Sequence, residues 1–119
     1  MTVHGFPGER VLMRIHIGER DRHAGKPLYE AIVAMLRERG CAGATVFRAI
    51  MGFGASARIH SDRVEVLSLD LPIVIECVET QEKIDEVLPL LDGMIGGGLI
   101  TLERAKVIVY RADEGRGRI

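Results

Sequence analysis

Cysteine is scarce in this chain. Its 119 residues hold two, Cys41 and Cys77, too few for a disulfide scaffold, and they do not form a C-x-x-C pair. Cys77 lies in the apolar run Ile73-Val74-Ile75-Glu76-Cys77-Val78, where a small buried hydrophobe is the ordinary reading. A charge surplus is also missing. Lys and Arg number 16 against 17 Asp and Glu, a net charge of -1, so nothing marks a surface for a nucleic-acid backbone. Long apolar runs are absent too. Met1 to Arg10 has no apolar signal core. The longest uncharged stretch, Gly93 to Leu102, is far short of the ~20 residues of a spanning helix. A soluble, reducing, cytoplasmic setting is the expectation.

The residues present are those of one domain with a real core. Hydrophobic residues make up 47% of the chain and charged residues 28%. The length favours a single domain over residues 1–119, with flexible ends at 1–10 and 112–119. No internal repeat or linker interrupts it.

Periodicity divides the chain into six main elements. Val11 to Glu19 reads as a strand, with Val11, Met13, Ile15 and Ile17 on one face. Gly18 to Lys26 reads as a polar loop. Pro27 suits the first turn of a helix whose apolar stripe is Leu28, Ala31, Ile32, Met35 and Leu36, with Gly40 as its stop. Gly43 to Met51 reads as a second strand, followed by a glycine-containing connection from Gly52 to Arg63. A third strand is expected over Val64 to Val78, with a bulge or edge at Pro72. Thr80 is a candidate N-cap for a helix with Ile84, Val87, Leu88 and Leu91 inward, kinked or split at Pro89. A last strand region, bent near Glu103, runs from Leu99 to Tyr110.

The order β-α-β, β-α-β predicts an α+β, ferredoxin-like (βαββαβ) sandwich. Two helices cover one face of such a sheet. The other keeps Leu12, Val66 and Val74, which points to burial against other subunits.

Several residues could carry chemistry. Gly52-Phe53-Gly54 follows the second strand, where glycines permit close backbone approach to a ligand. Gly96-Gly97-Gly98 is either a tight helix-to-strand turn or a nest of bare N–H groups for an anion. Glu19, Asp21 and His23 could share one side of an extended segment and hold a metal, although a solvated polar loop is the plainer reading. His60 and Asp62 are close in sequence but lack an obvious nucleophile such as a G-x-S-x-G serine.

Gly43-Ala44-Thr45-Val46 through Gly52-Phe53-Gly54 resembles the second strand and glycine turn of PII signalling proteins. Leu71-Pro72-Ile73-Val74-Ile75-Glu76 resembles their third strand, and Gly93 to Ile100 is similar to their phosphate-holding glycine loop. The whole chain, from about Val11 to Arg111, resembles more closely a PII-like branch known as domain of unknown function 190. Ile17-Gly18-Glu19, Pro27 to Ile32 and Gly98 to Glu103 carry that likeness.

The resemblance implies a non-enzymatic sensor, a homotrimer with ligand clefts between subunits. It also implies a loop that signals to a protein partner such as a membrane transporter or channel. The implied ligand is an adenine nucleotide, AMP or ADP, at Gly52, Phe53, Gly54, Glu76, Gly96, Gly97, Gly98 and Arg111. No metal, catalytic residue or nucleic acid is expected in that reading. This chain departs from PII in places. Leu99 stands where PII has a phosphate-binding lysine, and Val109 replaces one of two arginines. The loop from Gly54 to Val64 has no tyrosine to modify, and Ala49 replaces a glycine usual in the branch. Two other functions fit the residues: a trimeric metal- or ion-responsive protein using Glu19, Asp21 and His23 or the His60 loop, and a small enzyme with His60 as acid or base.

Overall fold

The computed structural model of the chain describes residues 6–54 and 70–113. Strand β1 (Gly8–Gly18) is followed by a small hairpin, β2 (Arg22–His23) and β3 (Lys26–Pro27). Helix α1 (Leu28–Glu38) leads to β4 (Thr45–Arg48). Then come β5 (Pro72–Glu79), helix α2 (Gln81–Met94) and β6 (Leu99–Val107). The main sheet has the order β4-β5-β1-β6, and every neighbouring pair is antiparallel. This is the ferredoxin-like βαββαβ arrangement.

Alternation decides which face is buried. Met13, Ile15 and Ile17 of β1 and Ile73, Ile75 and Cys77 of β5 point to one side of the sheet and are buried. Leu28, Ile32 and Leu36 of α1 meet them there, with Ile84, Val87 and Leu91 of α2. Leu12, Arg14 and His16 have the opposite phase and share the uncovered face with Val74, Glu76 and Val78.

The helix ends are built as their sequences require. Gly40, at φ +82°, follows α1 and carries a Schellman closure: Cys41 N–H donates to Leu36 O, and Gly40 N–H to Arg37 O. Lys83 Nζ, from α2, donates to Arg39 O at 2.6 Å, setting a cation at the negative end of α1. Thr80 Oγ1 accepts from Lys83 N–H and caps α2.

Several boundaries differ from the sequence reading. The segment after Gly18 is a hairpin rather than a plain loop, its turn made by Ala24 and Gly25 at positive φ. The first strand starts at Gly8. Pro27 caps α1 instead of entering its first turn. The second strand shrinks to Thr45–Arg48 because its partner begins only at Pro72, where a missing N–H costs least. Helix α2 runs unbroken through Pro89. Pro89 is exposed, so water can reach the carbonyl its ring deprives of a donor. Pairing of β6 with β1 continues residue for residue through Glu103, with no interruption there. Residues 55–69 lie outside the described part, and with them Val66, His60 and most of the expected connection.

Candidate functional site

One end of the sheet gathers the glycine turns. The end of β1 (Ile17, Gly18), the start of β5 (Pro72), the end of β4 (Arg48) and the start of β6 (Leu99) all meet there. Gly52 stands at φ +157°, and a Cβ on it would be 3.0 Å from Pro72 Cγ. Phe53 beside it is 69% exposed, as is Met51, and Ile50 is 96% exposed.

Gly98 sits across the sheet from that turn. A Cβ there would meet His16 O at 2.6 Å and Ile17 Cγ2 at 3.2 Å. Close approach to β1 is therefore the structural reason for this glycine. Gly96 and Gly97 differ: a Cβ on either meets nothing within 4 Å, and neither has positive φ. Neither clash nor backbone strain demands glycine at these two positions. Gly96 and Gly98 edge a shallow cleft of about 430 Å³ that also takes in Leu88, Asp92, Ile95 and Ile100.

Charges at this end are largely paired. Arg48 Nε lies 3.2 Å from Glu19 Oε2. Asp21 Oδ2 accepts from Gly18 N–H at 2.9 Å, and Asp70 Oδ1 from Arg20 N–H at 3.0 Å. Glu19 and Asp21 thus have other engagements. Among the described residues, no group of three His, Cys, Asp or Glu side chains is placed to hold a metal ion.

Glu76 lies on the open face, one level further along the sheet. It accepts from Arg14 Nε at 2.9 Å, while Arg14 Nη1 donates to Glu103 at 2.6 Å. One guanidinium therefore ties β5, β1 and β6 together. These two carboxylates push the Arg14 pKa above its usual value.

Arg111 is at the opposite end of β6. The preceding residue, Tyr110, donates its hydroxyl to Ala42 O at 2.7 Å and packs on Phe6 with ring centroids 4.8 Å apart. Nine residues of strand separate the two ends, about 30 Å at the usual rise. Within one protomer the fold brings Gly52–Gly54 and Gly96–Gly98 to one end and leaves Arg111 at the other.

Near that second end the two thiols meet. The Cys41 and Cys77 side chains interact with one another. Burial, then the neighbouring Cys41, pushes Cys77 up to about 12, and burial followed by the Glu79 charge raises Cys41. The buried Glu79 accepts from Ala42 N–H at 2.5 Å and Thr80 N–H at 3.0 Å. It pins the α1–β4 connection to the start of α2.

Residues 10–107 match the family model DUF190, described as "Uncharacterized ACR, COG1993". The chain belongs to the DUF190 family. A UPF0166 protein of Aquifex aeolicus (strain VF5) is 40% identical over 100 residues, which is 84% of this chain and 94% of that one. A second UPF0166 protein of the same organism is 38% identical over 99 residues, 83% and 97% of the two chains. UPF0166 protein MJ1524 of Methanocaldococcus jannaschii is 37% identical over 92 residues, 76% and 84% of the two chains.

For this DUF190 chain, the sequence reading missed three features of the site. Arg48 falls within the expected second strand and carries no role there, and its pairing with Glu19 follows from the short β4 ending beside Gly18. The sequence reading does not pair Arg14 with Glu103, although an arginine between strands bearing Glu76 and Glu103 invites such a pairing. His16 lies beside Gly98 through its backbone, a contact that needs the β1–β6 register.

Proposed function

We propose that this chain is a PII-like regulatory protein, a homotrimer that holds a small anionic ligand in clefts between subunits. The ligand class is an adenine nucleotide, AMP or ADP. The observation that supports this best is the convergence of the Gly52–Gly54 and Gly96–Gly98 turns on one end of the sheet. Gly96 and Gly97 are not explained by packing, so their lack of side chains has a use in admitting a ligand to the backbone N–H groups. The exposed Ile50, Met51 and Phe53 next to these turns suit contact with a protein partner. Such a partner could be a membrane transporter or channel. Among the described residues, no helix is long and apolar enough to cross a membrane. Arg111 can reach the turns only from a neighbouring copy.

A thermal-shift panel with AMP, ADP and ATP tests the reading. A ligand at a hundred times its dissociation constant adds about 2.7 kcal/mol of stability. Gly97→Ala should leave the unliganded melting point unchanged and remove the shift. Absence of any shift at millimolar nucleotide would refute the ligand assignment.

A further inference from the structure

The chain's two cysteines come together although they are distant in sequence. Cys77 is on the buried face of β5, in phase with Ile73, Ile75 and Glu79, and is 2% exposed. Cys41 lies in the connection from α1 to β4 and is partly exposed. Strand β4 runs antiparallel to β5 with Thr45 opposite Glu76, so the chain entering β4 passes beside Cys77 and Glu79. Three hydrogen bonds fix that passage. Cys41 N–H donates to Leu36 O, Ala42 N–H donates to the Glu79 carboxylate, and Ala42 O accepts from the Tyr110 hydroxyl. Cys41 therefore packs against the core cluster that holds Cys77, and the two side chains interact. The proposed ligand site uses neither thiol.

We propose that Cys41 and Cys77 are a redox modification site, oxidised by a hydroperoxide to an intramolecular disulfide. The partly exposed Cys41 reacts first. Its sulfur attacks the peroxide, the O–O bond breaks, and the thiol proton leaves with the departing oxygen as an alcohol or water. Cys41 is then a sulfenic acid. Cys77 attacks the Cys41 sulfur, the S–O bond breaks, and the oxygen departs as water with the Cys77 proton. In total two thiols give up two electrons, and the hydroperoxide is reduced to an alcohol and water. Burial raises the pKa of both thiols, so thiolate is scarce at neutral pH and the pair answers sustained rather than brief oxidant. The bond ties the entry of β4 to β5. Strand β4 is four residues long, exposed throughout and, among the described residues, paired only with β5, which makes it the least anchored strand of the main sheet. The Gly52–Gly54 turn follows β4, so oxidation stiffens the segment that carries it.

Mass spectrometry of the folded wild type, held for hours in millimolar hydrogen peroxide, tests the proposal. The chain should lose the mass of two hydrogens and show no reactive thiol after denaturation. Dithiothreitol should restore both thiols. The oxidised form should melt higher by roughly 10 °C, the usual effect of a disulfide on a small domain. Exchange of the β4 amides should slow at least tenfold. Cys77→Ala cannot close the bond. It should stop at a Cys41 sulfenic acid, trapped by dimedone, and gain none of the melting shift. The site is wrong if wild type keeps both thiols, adds oxygen at Cys41 while Cys77 stays free, or links two chains together. These wild-type outcomes decide the matter even if Cys77→Ala does not fold. A disulfide that leaves melting and exchange unchanged would overturn the tie on β4.

Discussion

Gly98 approaches His16 so closely that a Cβ on the glycine would stand 2.6 Å from the His16 carbonyl oxygen. That oxygen belongs to the rigid β1 backbone and cannot swing aside. Gly98→Ala should therefore destabilise the fold by about 1–3 kcal/mol, the usual cost of overpacking. Gly96→Ala, with open space around its Cβ, should be neutral or stabilising by about 0.4–1 kcal/mol through the unfolded chain. Urea unfolding of the two variants checks the contrast, and equal effects would show that the loop is not seated as described.

Glu79 gives a second stability test. Its carboxylate is 5% exposed and accepts two backbone N–H groups, from Ala42 and Thr80. Glu79→Ala leaves both donors to be satisfied elsewhere. The expected loss is about 1.5–3 kcal/mol, the worth of hydrogen bonds to a charged group. A chemical denaturation midpoint unchanged at pH 7 would contradict the pinning role.

The thiols predict a loss of stability at high pH. Burial raises the Cys77 pKa in the folded chain to about 12 from an ordinary 9.0, so the folded state holds its proton more tightly than the unfolded state does. The resulting stability is complete below about pH 9 and drains away as the pH climbs towards 12, by up to about 1.4 kcal/mol per unit. Cys77→Ala should flatten that slope. In the wild type, alkylation at neutral pH should modify the partly exposed Cys41 before Cys77; the reverse order would mean that Cys77 is reachable in the folded state.

The fold was legible wherever one side of an element is buried. The alternation through Met13, Ile15 and Ile17 and the stripes of both helices marked the core, because burial imposes a strict period. Thr80 and Gly40 marked helix ends through chemistry that works locally. What escaped depends on partners distant in sequence. The length of β4 is set by where β5 begins. The need for glycine at 98 is set by His16. The Arg14, Glu76 and Glu103 network spans three strands. The glycine turns of the candidate site could be named from the sequence, but their shared end of the sheet, and the placing of Arg111 at the other, required the register of β6 on β1.

The charges at the glycine end limit how many phosphates it can hold. Arg48, at that end of the sheet, is already matched by Glu19 at 3.2 Å, and Leu99 offers no charge where PII proteins carry a lysine. Asp92 adds a negative group to the rim of the Gly96–Gly98 cleft. Backbone N–H groups can satisfy one or two phosphates, but a third brings further negative charge to a cleft whose described lining holds no Lys or Arg. AMP or ADP should therefore bind more tightly than ATP by calorimetry. The test has a second arm. If a neighbouring copy presents Arg111 to the cleft, Arg111→Ala should weaken binding by about 1.5–3 kcal/mol, since an arginine fork meets a phosphate through charge-assisted hydrogen bonds. An unchanged affinity would place Arg111 outside the site. ATP binding more tightly than both AMP and ADP would show a cation at the cleft that the protomer alone does not provide.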